Sequence, residues 1–336
     1  MGNGKVRASQ SDMLGFHKDK FLAAGLLLFV IGLSSTLTLL AGRGREASAP
    51  WPGIGYLARA GVNADRMGLP RVMFWAWERP EDLRFLDSRD AGVAFLAGTI
   101  YLTSPQGGAA SSPADGVTFR PRMQPLRVQP GTPLMAVIRI ETPNDLWHAP
   151  PKQMDTAAPT ETPAKPYTVT QLQIVARLIT NVTRLPGVKA LQIDYDASRS
   201  ERASYGELLE EVRRQMPRAM PLSITALASW CIGDPWLGKL PPGTIDEAVP
   251  MLFRMGPDTR NVAEYLQYGR EFGPAVCRGS LGVSTDEPLS QSLLSGAIPS
   301  SPARRSSNRI YVFLPHPWTN QDAQTVNEEM ETWHNE

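Results

Sequence analysis

Residues 188–196 read VKALQIDYD and form the most informative local pattern in this 336-residue chain. Side chains alternate between the two faces of a β-strand, so Gln192, Asp194 and Asp196 share one face while apolar side chains share the other. Three polar side chains on one face of a buried strand favour a barrel, whose interior can accommodate them. In a second interpretation, Asp194 caps the following loop and Asp196 caps the helical region near Tyr205.

Seven further segments have the length and apolar composition of buried strands. They are Arg71–Trp77, Gly92–Leu102, Leu134–Glu141, Pro221–Trp230, Glu247–Met255, Gly279–Thr285 and Asn308–Pro315. Apolar residues at helical spacing occur between several of them, in Tyr167–Leu185, Tyr205–Met216 and Asn261–Phe272. Apolar strands alternating with helices form parallel α/β folds, and eight strands over about 250 residues predict a (β/α)8 TIM-like barrel. The alternative is an open doubly wound sheet, but no Gly-x-Gly-x-x-Gly follows a strand, so nucleotide binding has no support.

The composition of the chain excludes some classes of protein and of site. Hydrophobic residues make up 42% of the chain, enough for a sizeable core, and the net charge of +1 excludes a basic nucleic-acid footprint carried by the whole chain. The only cysteines, Cys231 and Cys277, cannot form a disulfide-stapled scaffold or a four-cysteine zinc site. Because one follows the fifth predicted strand and the other precedes the seventh, a barrel would place them at opposite ends, and we expect no disulfide between them.

A hydrophobic run near the N-terminus predicts membrane attachment. Between Lys20 and Arg43 lie 22 uncharged residues, Phe21–Gly42, which as a helix span roughly 33 Å, enough to cross a bilayer core. The positive charges before the run favour a cytoplasmic N-terminus. A cleaved signal peptide with a site near Ala47–Ala49 is the alternative, but the length of the run favours a retained anchor.

These observations predict the domain organisation. Residues 1–20 form a cytoplasmic tail, 21–42 a transmembrane signal-anchor, 43–70 a linker and 71–330 the barrel domain, with loop insertions at 105–133 and 148–166. A strand pair is expected inside the first insertion, around Val117–Phe119 and Leu126–Val128. The protein is therefore expected in the cytoplasmic membrane as a single-pass protein, with its globular domain in the periplasm or outside the cell.

The predicted functional residues lie where the strands end. In a barrel, functional side chains collect at the carboxyl ends of the strands. Indole faces stack on pyranose rings, and carboxylates hydrogen-bond hydroxyls or transfer protons, so this rim is suited to a sugar. The predicted substrate-binding residues are Glu78, Trp75, Trp77, Glu141, Gln192, Trp230, Arg254 and Trp318.

Asp196 and Asp194 are the predicted catalytic pair. Neighbouring carboxylates in an enclosed site cannot both ionise cheaply, so one pKa is expected to rise, as a general acid requires. No metal or cofactor is predicted, although His148 and His316 leave a two-histidine metal site open. For Arg254, binding an anionic ligand and pairing with an acid at a strand end are equally open interpretations.

Three segments carry a family resemblance. LQIDYDA (191–197), PLSITALASW (221–230) and IDEAVPMLFRMG (245–256), in this order, resemble the bacterial family catalogued as domain of unknown function 3142, over roughly residues 71–318. That family is similar to TIM-barrel glycoside hydrolases, notably the chitinase-like family 18. The resemblance implies a barrel fold and a glycan substrate or ligand.

The resemblance also implies roles for individual residues. In family 18 the fourth strand carries Asp-x-Asp-x-Glu with the final Glu as acid, and Gln192, Asp194 and Asp196 occupy these positions, which implies Asp196 as acid and Asp194 as its partner. The Met-x-Tyr of the sixth strand is matched by Met251-Leu252-Phe253, and the tryptophan of the eighth strand by Trp318. Asp is shorter than Glu, Gln is uncharged and Phe lacks the hydroxyl group, so the complete substrate-assisted mechanism is not implied.

Two function classes follow. The first is a membrane-anchored, extracytoplasmic glycoside-hydrolase-like protein acting on a cell-envelope or exopolysaccharide glycan. The second is a catalytically inactive barrel that binds glycans or envelope proteins, which the departures from the family pattern favour. A hydrolase needs two carboxyl groups roughly 5–9.5 Å apart across a cleft, unless the substrate supplies the nucleophile.

Overall fold

Eleven β-strands and six α-helices make up the computed structural model, which describes residues 67–103, 116–142, 167–234, 236–295, 307 and 309–334. The strands are β1 (Val72–Ala76), β2 (Glu81–Asp82), β3 (Ala91–Leu102), β4 (Val117–Pro121), β5 (Leu126–Arg127), β6 (Leu134–Glu141), β7 (Val188–Asp194), β8 (Leu222–Leu227), β9 (Glu247–Met251), β10 (Ser280–Ser284) and β11 (Arg309–Phe313). The helices are α1 (Val169–Asn181), α2 (Arg202–Gln215), α3 (Ala228–Ile232), α4 (Thr259–Gln267), α5 (Pro288–Leu294) and α6 (Asn320–His334).

Eight parallel strands form a closed barrel, which confirms the (β/α)8 TIM-like prediction. Their order is β1-β3-β6-β7-β8-β9-β10-β11, and β1 pairs with both β3 and β11. This double pairing of β1 removes the free edges that an open doubly wound sheet would have. Because all eight strands are parallel, their carboxyl ends meet at one rim of the barrel.

Side chains alternate between the barrel interior and the shell beneath the helices. Met73, Trp75, Met135, Val137 and Tyr311 pack with one another inside the barrel. The intervening residues face outward into a larger core shared with the helices. The barrel strands therefore contribute apolar side chains to both cores, from alternate positions along the chain.

A buried acid joins three strands inside the barrel. Glu247 Oε1 accepts a hydrogen bond from Arg309 Nη1 at 2.9 Å, and both side chains are 2% exposed. Its other oxygen, Oε2, accepts hydrogen bonds from Tyr311 OH at 2.7 Å and from Ser223 Oγ at 2.9 Å. The charge of Glu247 is thus both paired and hydrogen-bonded, as burial of a carboxylate requires.

The predicted strand pair in the first insertion is wrong in its partners. β4 pairs antiparallel with the end of β3, at Gly98–Leu102, and β5 pairs with β2. The reason is the length of β3: β1 covers only Ala91–Phe95 along one edge, which leaves the rest of that edge for β4.

A disulfide joins Cys231 to Cys277, with 5.9 Å between their Cα atoms, so the prediction of no disulfide is wrong. Cys231 lies on α3, which follows β8 directly and packs against β9. The 3-10 turn Ala275–Cys277 also packs against β9. The segment that follows β8 and the segment that precedes β10 therefore meet beside β9, which is only five residues long.

The predicted membrane anchor, residues 21–42, lies outside the described residues, as do the tail, most of the linker and the insertion at 148–166. In the part of the chain that the structure describes, no helix is both long and apolar enough to span a membrane.

Candidate functional site

A cavity of about 470 Å³ opens at the carboxyl ends of the barrel strands. It receives side chains from β1, β6, β7, β8, β9 and β11 and from the segments that follow them. The lining residues are Trp75, Trp77, Arg139, Asp194, Asp196, Thr225, Leu227, Ala228, Ser229, Met251, Phe253, Arg254, Met255, Asp258 and Phe313. This is the end of a (β/α)8 barrel at which function is expected.

One side of the cavity is aromatic, and we call Trp75, Trp77, Phe253 and Phe313 the aromatic wall. The rings of Phe253 and Phe313 stack with centroids 5.7 Å apart and planes 2° apart. Phe253 also meets Trp75 in an edge contact at 5.9 Å. Trp75 is fixed from below because its Nε1 donates a hydrogen bond to Gln192 Oε1 at 2.9 Å. Trp75 is only 3% exposed and forms the base of the wall, so the partly exposed rings of Trp77, Phe253 and Phe313 are the ones suited to the apolar face of a sugar ring.

Asp194 and Asp196 both line this cavity, as expected from strand alternation. Asp194 is half-buried and ends β7, whereas Asp196 is exposed and lies two residues beyond it. Thr225 Oγ1 donates a hydrogen bond to Asp194 Oδ1 at 2.7 Å. Burial raises the pKa of Asp194, while the nearby charge of Arg139 and the Thr225 hydrogen bond oppose the rise. The main cause of the raised pKa is therefore desolvation, and not the repulsion between carboxylates that was expected.

Arg139 is a cavity residue that the sequence argument missed. It is paired in register with Asp194 across β6 and β7. Its guanidinium lies 5.9 Å from the ring centroid of Trp77, and its Nε lies 3.1 Å from Glu141 Oε1. The signal was present, because alternation in LMAVIRIE (134–141) places Met135, Val137 and Arg139 on one face.

Gln192 does not reach the cavity. It is fully buried, its Oε1 accepts a hydrogen bond from Trp75, and its Nε2 donates to Ser223 Oγ at 3.1 Å. The prediction that it binds substrate is therefore corrected: Gln192 lies one inward position below Asp194 on β7 and holds the aromatic wall in place.

Trp230 and Trp318 are also corrected, because neither presents an open indole face. Trp230 lies on α3, is fully buried and packs against Trp236 with ring centroids 5.0 Å apart. Trp318 is 5% exposed, packs against the outward-facing Phe74 at 4.7 Å and donates from Nε1 to the backbone oxygen of Trp75 at 3.0 Å. Both indoles belong to the shell core.

The remaining predicted rim residues are held in ion pairs. Glu78 is exposed and accepts a hydrogen bond from Arg120 at 2.7 Å, and it does not line the cavity. Glu141 lies beside Arg139 and is not among the lining residues either. Arg254 does line the cavity. Its guanidinium donates at 2.7 Å to two acids that follow β10, Asp286 and Glu287.

Among the described residues, no three histidine, cysteine or acidic side chains are grouped as metal ligands. His316 is exposed, with Nδ1 3.2 Å from the backbone oxygen of Pro317. His148 lies outside the described residues.

A second cavity, of about 700 Å³, adjoins the first, and the two share Ser229 and Asp258. Its lining is more polar and includes Arg199 and Arg202. Arg202 forms an ion pair with Asp234 and lies 5.6 Å above the ring of Trp230.

No family profile and no curated protein matches the sequence. Several solved structures are similar over most of the chain. A protein described as chitinase A of Streptomyces coelicolor has 11% identity and a TM-score of 0.45, covering 80% of this chain and 99% of that one. The Bacillus cereus spore cortex-lytic enzyme SleL has 11% identity and a TM-score of 0.42, covering 77% and 75%. A family 18 (GH18) chitinase of Chromobacterium violaceum has 9% identity and a TM-score of 0.42, covering 80% and 84%.

Proposed function

We propose that the protein is a glycoside-hydrolase-like enzyme acting on a cell-envelope or exopolysaccharide glycan. One observation carries the proposal: a pair of carboxyl groups, one with a raised pKa, shares a cavity with an aromatic wall at the functional end of a (β/α)8 barrel. The aromatic wall supplies the stacking surface that a pyranose ring uses, and the carboxyl pair supplies the proton that cleavage of a glycosidic bond needs.

The two carboxyl groups have different tasks in this proposal. Asp196 is exposed within the cavity and gives its proton to the leaving glycosidic oxygen as the bond to the anomeric carbon breaks. Water then adds to the anomeric carbon, and the proton that it releases returns to the carboxyl pair. Asp194 lies deeper, and burial raises the pKa of its carboxyl group, which favours a proton on this side of the carboxyl pair.

The test is release of reducing ends from envelope polysaccharides. Asp196→Asn is expected to reduce turnover about 10²–10⁴-fold, because it removes the transferable proton. Asp87→Asn is the matched control, since this aspartate pairs with Arg89 on an exposed loop away from the cavity. Equal rates in wild type and Asp196→Asn, including zero in both, would contradict the catalytic assignment.

The second candidate is a catalytically inactive barrel that binds glycans or envelope proteins. The observation that favours it is that the third inward-facing polar residue of the segment 192–196 is Gln192, which carries no carboxylate and whose amide group hydrogen-bonds Trp75 and Ser223 inside the barrel. In that case Trp77→Ala would abolish glycan binding, and Asp196→Asn would leave the measured function unchanged.

We also propose that the barrel lies outside the cytoplasm on a membrane anchor at residues 21–42. The uncharged run supports the anchor, and the Cys231–Cys277 disulfide supports an oxidising compartment, where such bonds persist. Fractionation of cells making the full-length chain should recover it in the membrane pellet with protease-accessible barrel. Recovery in the soluble cytoplasmic fraction would overturn this proposal.

A further inference from the structure

The cavity beside the aromatic wall contains a cationic side chain, that of Arg139. Arg139 lines the cavity beside the aromatic wall, with its guanidinium on the ring of Trp77 and its side chain 40% exposed. Its Nε faces Glu141, and no hydrogen bond joins its terminal amino groups to any other described residue. A guanidinium held in this way presents two parallel N–H donors, a geometry that fits a carboxylate.

Arg254, which also lines the cavity, differs from Arg139 in its acidic partners. Arg254 donates hydrogen bonds to both Asp286 and Glu287, so two acids offset its charge. Arg139 lies beside two acids: Glu141, which does not line the cavity, and Asp194, which lines it and is paired with Arg139 in register. Asp194 accepts its hydrogen bond from Thr225, and burial disfavours its charged form, so it offsets the charge of Arg139 less than two hydrogen-bonded acids offset that of Arg254. A ligand entering the cavity therefore meets the positive charge of Arg139 at the edge of the stacking surface.

Building on the proposed function, we propose that Arg139 makes the cavity selective for acidic glycans by binding the carboxylate of a uronic acid residue. The carboxylate of such a sugar extends from the edge of its ring. When the ring stacks on the aromatic wall, a cation beside that wall can meet the carboxylate without lifting the ring from the aromatic face. Stacking gives affinity for the sugar, and the arginine adds the preference for the acid.

The adjoining second cavity offers space for further sugar units of a polymer. Arg199 lines it and is exposed, and it forms no ion pair with another described residue. Ser229 and Asp258 belong to both cavities, so the two cavities lie side by side, as a polymer that extends beyond the first cavity would require. A uronic acid polymer would then place a second carboxylate near Arg199.

The experiment measures binding of the full-length chain, in detergent, by isothermal titration calorimetry. The ligands are hexamers of galacturonic, glucuronic and mannuronic acid, each compared with its carboxyl-reduced neutral counterpart. We expect at least one acidic hexamer to bind about 10–100-fold more tightly than its neutral counterpart, as a charge-assisted hydrogen-bonded pair provides. Added salt should reduce this preference.

Arg139→Gln should abolish the preference for the acidic hexamer over its neutral counterpart, and Arg139→Lys should retain part of that preference. Arg260→Gln is the matched control, because Arg260 Nε lies 3.2 Å from Glu264 Oε1 on the outer helix α4, much as Arg139 faces Glu141. Arg260→Gln should behave as wild type.

Three results would overturn the inference: equal affinity of the wild type for every acidic and neutral pair, no binding of any acidic hexamer, or a preference that survives in Arg139→Gln. The first result needs no variant, so the test stands even if Arg139→Gln misfolds. Cleavage of a neutral glycan without acid preference would refute this inference alone. Arg139-dependent binding without release of reducing ends would instead refute the proposed hydrolysis.

Discussion

Asp194 ends β7 below the exposed Asp196, in a position where burial raises the pKa of its carboxyl group. A carboxyl whose pKa is higher in the folded state than in the unfolded chain favours folding at low pH. That contribution is lost as the pH rises from the unfolded value, about 3.9, through the folded value. Burial of Asp194 at this cavity therefore costs the protein stability near neutral pH.

Asp194→Asn removes this ionisation and keeps an oxygen to accept the Thr225 hydrogen bond. We expect the variant to gain thermal stability over wild type as the pH rises from 4 to 8, by about 2–4 °C for each kcal/mol recovered. Circular dichroism melting across this range is the measurement. Asp87→Asn should show no such gain, because Arg89 lowers the pKa of Asp87 to about 2. A difference that stays constant with pH would contradict the account.

At the scale of single residues, the strand pattern predicted the positions of some candidate site residues correctly and those of others wrongly. Alternation along β7 predicted that Asp194 and Asp196 face the same side, and both line one cavity. Alternation also placed Gln192 on that face. It does not determine the depth of a side chain in the barrel, however, and Gln192 lies below the cavity. Trp230 and Trp318 were misplaced because an indole near a strand end is equally suited to the cavity and to the shell core, and tertiary packing makes the choice.

At the scale of the element, the point at which β8 ends and α3 begins decides where Cys231 lies. The run PLSITALASW is apolar throughout, and the sequence argument extended the strand to Trp230. The chain instead leaves the strand after Leu227 and enters α3. A short apolar run does not distinguish strand from helix by periodicity. This early turn carries Cys231 to the outside of the barrel, where Cys277 meets it.

The disulfide closes a loop across 46 residues, so it should restrict the unfolded chain substantially. We expect the double variant Cys231→Ala with Cys277→Ala to lose about 2–4 kcal/mol of unfolding free energy. Denaturant unfolding is the measurement, and wild type treated with a reductant should match the double variant. An unchanged unfolding midpoint in both would show that the bond contributes nothing to stability.

At the scale of the whole molecule, buried polar contacts link five of the eight barrel strands. Glu247 joins β9 to β8 and β11, and the chain of hydrogen bonds continues through Gln192 on β7 to Trp75 on β1. Strand number and order were predictable because each strand is a distinct apolar segment. The hydrogen-bond network could not be predicted, because its residues are far apart in sequence and meet only when the barrel closes.

Glu247→Gln tests the network. It leaves the buried charge of Arg309 without its acid, a change that costs about 3–5 kcal/mol in comparable buried pairs. We expect a lowered unfolding midpoint by tryptophan fluorescence, since Trp75 lies at the far end of the network. Adding Arg309→Met to this variant should recover part of the loss. Full stability in Glu247→Gln would mean that the pair is dispensable.

In the proposed function, the cavity at the carboxyl end of the barrel holds a sugar between the aromatic wall and the carboxyl pair. The most direct measurement is a crystal structure of Asp196→Asn with the glycan oligomer that it binds most tightly. We expect a sugar ring stacked on the aromatic wall, with a glycosidic oxygen within hydrogen-bond distance of the side chain at position 196. An oligomer bound elsewhere on the barrel, with this cavity empty, would contradict it.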